Sequence, residues 1–220
     1  MSSVVITGAN RGIGLEFCRA YVQAGDKVAG FCRKASRELE TSGAEVIAGV
    51  DVCDPVSLAR AAEALHGRAV DILVCNAGIL SEESLDDLDF SRIQAQWEVN
   101  ALGPLRSVAA LLKNLHRGSK IALITSRMGS IGDNDSGGYY GYRMSKAALN
   151  AAGKSLAIDL APRGISVGVF HPGYVKTAMT GYEGNVAPSK SAADLVARIA
   201  DLDDSNTGGF RHANGETLPW

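Results

Sequence analysis

Short β-branched runs that are apolar at every position recur along this chain, and longer helical segments separate them. Val4-Val5-Ile6 and Ile72-Leu73-Val74 are two such runs. A strand wet on one face alternates apolar and polar residues. A strand apolar throughout must be covered on both faces, as when parallel strands are joined by crossover helices. The pattern predicts strands at Val4–Thr7, Lys27–Cys32, about 44–50, Val70–Cys75, Lys120–Ser126 and Ile165–Phe170, with a further one at Gly208–His212. Helices are expected over 13–24, after Asp54-Pro55, over 91–116, 142–161 and 191–202, with a short polar one after the second strand. Ser91-Arg92-Ile93-Gln94 reads as a capping box, and Gly103-Pro104 is a point where the long helix can bend. This alternation specifies a doubly wound α/β sheet with helices on both faces. No repeat or linker divides residues 1–220, so one domain is expected, with a substrate loop over about 173–190.

Composition narrows the function classes. The formal charge of −2, with 46% hydrophobic and 21% charged residues, gives no general attraction to nucleic acid or an anionic membrane. No apolar run approaches the roughly 20 residues of a membrane span, and the first residues do not read as a signal peptide. A cytoplasmic protein is expected. Cys18, Cys32, Cys53 and Cys75 form no CxxC pair and read as reduced core thiols; with His66, His116, His171 and His212 they show no metal-ligand spacing.

The first strand runs into Thr7-Gly8-Ala9-Asn10-Arg11-Gly12-Ile13-Gly14 and then a helix. Glycines there let the backbone turn sharply and approach a pyrophosphate, which the free N–H groups of the helix start can bind. The second strand ends Phe31-Cys32-Arg33-Lys34. An NAD site usually places an acid here for the ribose 2′-hydroxyl; Arg33, with Arg11 from the glycine turn, suits a 2′-phosphate instead. NADP(H) is the expected cofactor. Asp51-Val52 closes the third strand, where Asp51 can accept a hydrogen bond from an adenine amino group. Asn76-Ala77-Gly78 closes the fourth, with small residues for close passage and an amide for neighbouring backbone.

Of three clustered tyrosines, only Tyr142 has a lysine four residues on, Lys146. Residues so spaced share a helix face, and an ammonium there should pull the phenol down from its usual value near 10. Ser126, with Ser130 as the alternative, lies beyond a strand end where a hydroxyl can polarise a carbonyl oxygen. Asn100, within the long helix, can hold a water that bonds Lys146, or can cap a local backbone break. Tyr174, Met179, Tyr182 and Trp220 are candidates for an apolar substrate mouth.

As an ordered set, TGANRGIG at 7–14, DV at 51–52, CNAG at 75–78, Asn100, Ser126, YRMSK at 142–146 and HPGYVKT at 171–177 resemble the short-chain dehydrogenase/reductase family. Within it, GYRMSKAALN and the tail GGFRHANGETLPW are similar to the C-factor/sniffer-like carbonyl reductases. The resemblance implies a Rossmann fold with a seven-stranded parallel sheet of order 3-2-1-4-5-6-7. It implies catalysis by Ser126, Tyr142, Lys146 and Asn100. It places the cofactor against Gly8, Asn10, Arg11, Gly12, Ile13, Gly14, Arg33, Asp51, Val52, Asn76, Ala77 and Gly78. Tyr142 and Lys146 would also touch it, as would Pro172, Gly173, Val175 and Thr177, with Thr177 on the nicotinamide carboxamide. The implied activity is NADPH-dependent reduction of a ketone or aldehyde to an alcohol. The alternative is an NADP-binding sensor or signalling protein without turnover. Relatives pair through helices corresponding to 91–116 and 142–161, so a homodimer is possible here. The Ser126–Tyr142 interval is longer than the family's, and residues 133–138 are expected to loop out and absorb the difference.

Overall fold

A computed structural model describes residues 1–220. Seven strands form one sheet: β1 (Ser3–Thr7), β2 (Lys27–Cys32), β3 (Glu45–Ala48), β4 (Val70–Cys75), β5 (Leu115–Ile124), β6 (Ser166–His171) and β7 (Phe210–His212). Their order is β3-β2-β1-β4-β5-β6-β7, and every pairing is parallel. Seven α-helices accompany them: α1 (Gly12–Gln23), α2 (Arg37–Glu40), α3 (Pro55–Ala64), α4 (Phe90–Trp97), α5 (Gly103–Leu111), α6 (Tyr140–Leu160) and α7 (Pro188–Ala200). The fold is the doubly wound Rossmann sheet that the strand pattern specified.

Two cores explain why the strands are apolar on both faces. Val5, Leu73, Ile121 and Val169 point to one side, where they meet Leu58 of α3, Leu111 of α5 and Leu149 of α6. Their neighbours Val4, Ile6, Val74 and Ala122 point to the other, against Phe17 of α1, Leu39 of α2 and Leu195 of α7. Side chains alternate across a strand, so each run feeds both layers. Cys18, Cys32 and Cys75 are buried in these layers as free thiols, and burial pushes Cys18 and Cys75 up to about 12. The chain reverses direction across the sheet between β1 and β4, which opens a crevice beyond their carboxyl ends.

Several boundaries differ from those read in the sequence. The helix expected over 91–116 begins at Phe90, capped by Asp89 rather than Ser91: the carboxylate accepts from Ser91 N (2.9 Å) and Arg92 N (3.0 Å). It is interrupted by a π-turn at Glu98–Leu102, where Gly103 N bonds Glu98 O. Pro104 has no N–H to return to Asn100 O, so the ordinary i→i−4 ladder cannot continue there. The helix stops at Leu111, and His116 belongs to β5, whose Leu115 pairs with Val70 before a register shift. Leu115 is buried in the sheet, which outweighs the helical pattern of its neighbours. Ser126 falls just past β5 rather than within it. Pro188, not Ser191, opens α7; Pro fits the first helical position, and the Ser191 hydroxyl instead donates to Pro172 O (2.8 Å). No helix is long and apolar enough to cross a membrane.

Candidate active site

A cleft of about 540 Å³ lies beyond the carboxyl ends of β1, β2, β4 and β5. Its first wall is the turn into α1. Gly8 has φ +68°, and a Cβ there would meet Ala77 Cα at 2.8 Å. Gly14 sits beneath the turn, where a Cβ would run into Gly8 O. Thr7 ties this turn to the end of β4: its Oγ1 accepts from Asn76 N and Ala77 N, both at 3.1 Å. The Asn76 amide donates to Thr7 O (3.1 Å) and Gly8 O (3.3 Å), so it acts on backbone as its position suggested.

The start of α1 is chemically open. Asp54 caps α3 and Asp89 caps α4, each through two backbone N–H groups. By contrast, the residue before α1 is Arg11, its side chain makes no capping bond, and no acid lies in the first turn. The first N–H groups of a helix need acceptors, and an incoming anion supplies them. Arg11, Arg33 and Lys34 line one end of the cleft, all exposed and none paired with a carboxylate. Lys34 was not singled out in the sequence; its signal was there in the adjacent strand-end cations without an acid. Asn10 holds this corner through its amide, which donates to Lys34 O (3.2 Å).

Asp51 and Val52 line the same cleft, and one Asp51 carboxylate oxygen already accepts from Cys53 N (2.9 Å). Gly12, Ile13, Ala77 and Gly78 complete this wall. The loop after β6 covers it. Pro172 and Thr177 line the cleft, and the Thr177 methyl faces Gly12, 3.5 Å from where a Cβ would stand. Gly14, Gly173 and Val175 do not reach the cavity wall. Val175 is buried and forms a β-bridge with Val186, which pins the covering loop. Met179 and Tyr182 line the mouth, but Trp220 does not: it packs against Phe210, ring centroids 5.4 Å apart. A place at the mouth for Trp220 is therefore ruled out by its seat at the sheet edge.

Tyr142 and Lys146 project from the first turns of α6 into the cleft floor, both buried. Lys146 Nζ lies 5.7 Å from the Tyr142 ring centroid and donates to Ile124 O (2.9 Å) at the end of β5. Burial pushes the Tyr142 phenol up to about 12, and the Ser126 hydroxyl lowers it only partly. Burial also brings Lys146 down to about 8. The expectation that Lys146 pulls the phenol below its ordinary value is thus corrected. Desolvation is the largest cause for each group, and the phenol stays protonated at neutral pH.

The two serines separate cleanly. Ser126 Oγ accepts from Met128 N (3.1 Å) and lowers the Tyr142 phenol's pKa; Ser126 stands beside Tyr142 rather than on the cleft wall. Ser130 is buried, and its hydroxyl accepts from Asp133 N (3.1 Å) to shape the following loop. Residues 133–137 of that loop are exposed, so the extra length does bulge outward. Asn100 sits in the π-turn behind the cleft wall. Its amide donates to Ile79 O (2.8 Å) and Ser145 Oγ (3.0 Å), and its carbonyl accepts from Ile79 N (2.8 Å). Both amide protons are committed, so the side chain braces the segment after β4 against α6.

A family model described as short chain dehydrogenase matches residues 2–186. A protein of Rhodococcus sp. (strain AD45), 1-hydroxy-2-glutathionyl-2-methyl-3-butene dehydrogenase, is 37% identical over 226 residues, covering all of both chains. The carbonyl reductase Sniffer of D. melanogaster superposes with a TM-score of 0.92 at 28% identity, over the full length of both. An NADPH-bound carbonyl reductase from chicken fatty liver superposes with a TM-score of 0.91 at 28% identity, over 100% of this chain and 99% of that one.

Proposed function

The chain belongs to the short-chain dehydrogenase/reductase family of oxidoreductases, and from that premise we propose that it reduces a ketone or aldehyde to the alcohol with NADPH. The observation that carries the reading is the Tyr142 phenol: buried on the cleft floor, protonated, and one helical turn from Lys146.

The cleft fits NADP(H) at three points. The uncapped start of α1 suits the pyrophosphate, and the Gly8–Gly14 packing lets backbone approach it. Arg11, Arg33 and Lys34 suit the 2′-phosphate, and no carboxylate pairs with them to repel it. When bound, the reduced nicotinamide supplies a hydride to the carbonyl carbon. Ser126 and Tyr142 bond the carbonyl oxygen, and Tyr142 gives it a proton as negative charge develops there. Carbonyl and hydride thereby become an alcohol, with the tyrosine proton on oxygen. Lys146 stabilises the resulting phenolate until a proton returns from solvent. Burial keeps the phenol protonated at neutral pH, so the proton is in place when a carbonyl arrives. The sensor alternative leaves a buried Tyr–Lys pair in the cleft without a task.

Loss of NADPH absorbance with a panel of ketones and aldehydes, run beside NADH, tests the reading. Tyr142→Phe should cut turnover by about 10²–10⁴-fold with NADPH affinity nearly unchanged. Turnover retained in that variant, or no NADPH consumption by the parent protein, would defeat it.

A further inference from the structure

Glu83 lies in the segment after β4, outside every motif considered above, and is 3% exposed. Its carboxylate forms no ion pair with any lysine or arginine. Three donors converge on it instead. Ser81 Oγ donates to Oε1 at 2.6 Å, Gln96 Nε2 donates to Oε1 at 2.9 Å, and Gly141 N donates to Oε2 at 3.1 Å. Gly141 is the second residue of α6 and immediately precedes Tyr142. The residue before that helix, Tyr139, has φ +52° and offers no side-chain cap; its own N–H is held by Glu83 O at 2.8 Å. Glu83 therefore supplies from another segment the cap that α6 lacks locally.

The arrangement has a second rung. Gln96 and Asn100 stand one helical turn apart across the α4–π-turn junction, both fully buried. Gln96 carries Glu83 and, through its Oε1, accepts from Ser81 N (3.0 Å). Asn100 holds Ile79 and bonds Ser145. On α6 the two rungs end at Gly141 and Ser145, each one residue before a member of the acid–base pair. The helices meet closely here, since a Cβ on Gly141 would lie 2.9 Å from Ile93 Cα.

We propose that Glu83 is a positioning residue that, with Gln96, fixes the start of α6 so that the Tyr142 hydroxyl meets the substrate oxygen. The proposal rests on the carbonyl-reductase reading. Its chemistry is specific: a carboxylate accepts through both oxygens, and here three donors meet on them in a buried site. Glu83→Gln puts a donor opposite either Gly141 N or the Gln96 amide, whichever way the new amide turns. The Gln96 amide cannot turn to relieve the clash without presenting a donor to Ser81 N. Combining Glu83→Gln with Gln96→Glu restores the match, because the carboxylate now at position 96 accepts both from the new amide at position 83 and from Ser81 N.

The test measures turnover, NADPH affinity by fluorescence titration, and the rate ratio with deuterated NADPH, for the parent, Glu83→Gln and the exchanged pair. A parent without carbonyl-reductase activity overturns both the functional reading and this role for Glu83, whereas the variant results below bear on Glu83 alone, so the parent assay comes first. With an active parent, Glu83→Gln should lose about 10–100-fold in kcat, the range over which small misplacements of reacting groups act. NADPH affinity should stay within about twofold of the parent, with a larger isotope effect, and the exchanged pair should recover most of the rate. Should Glu83→Gln not fold, Gly141→Ala displaces the same helix start without altering charge, and the same split between kcat and NADPH affinity is expected. Full turnover in folded Glu83→Gln, or a loss of NADPH affinity that matches the loss of rate, overturns the assignment.

Discussion

Reversing the charge at Arg33 is the sharpest probe of the cofactor assignment. Arg33 is exposed, unpaired and shares its end of the cleft with Arg11 and Lys34. A hydrogen bond from a charged donor to phosphate contributes about 1.5–3 kcal/mol. A carboxylate in its place adds repulsion of about 1 kcal/mol for charges 4 Å apart in high dielectric. Arg33→Asp should therefore weaken NADPH binding by about 2.5–4 kcal/mol, roughly 10²–10³-fold at 1.4 kcal/mol per decade. Arg11 and Lys34 remain to hold part of the phosphate charge, so the lower half of that range is expected. NADH lacks the 2′-phosphate, and its affinity should stay level or rise, since an acid at this strand end can accept from the ribose hydroxyl. Fluorescence titration with each nucleotide at two salt concentrations reads both effects. The parent's NADPH affinity should fall with salt far more than its NADH affinity, because the cations are solvent-exposed and screened. An unchanged NADPH/NADH ratio in Arg33→Asp would refute the reasoning, as would equal salt dependence for the two nucleotides.

Acid stability should report on His171. Burial, with smaller effects from His212, Arg127 and Lys146, brings this imidazole down to about 3. It is neutral in the fold and protonated once unfolded below its ordinary pKa near 6.5, so stability is present above that value and is lost as pH falls toward 3. The slope is at most about 1.4 kcal/mol per pH unit, and urea midpoints between pH 7 and 4.5 should fall more shallowly in His171→Gln. Parallel slopes in the two proteins would exclude this contribution. Gly14→Ala drives a methyl into the Gly8 carbonyl, which belongs to a turn locked by Thr7 and Asn76. About 1–3 kcal/mol should be lost, read by urea unfolding, together with NADPH affinity. An unshifted midpoint would show that the turn yields more easily than its contacts imply.

Much of this protein is legible without coordinates. Runs such as Val4-Val5-Ile6, apolar at successive positions and alternating with helical segments, are what parallel strands covered on both sides look like, and that pattern set the layers and the sheet, with the crevice where its direction reverses. Local spacing also placed Tyr142 and Lys146 on one helix face, and an absent acid after β2 left the cations at Arg33 and Lys34. These are short-range facts, carried by neighbours in the chain. Tertiary structure decided what depends on burial and on contacts between distant segments. Leu115 joined the sheet because β4 offered it a buried place, against the helical pattern around it. Trp220 went to the sheet edge rather than the mouth because Phe210 lay there. The Tyr142 proton is held by desolvation, which no spacing rule encodes. Glu83 reaches α6 across 58 residues of sequence, so its partner becomes visible only when the chain has closed that loop. Sequence sets which groups are available; the dielectric around each, and which distant donor meets which acceptor, exist only once the layers have packed.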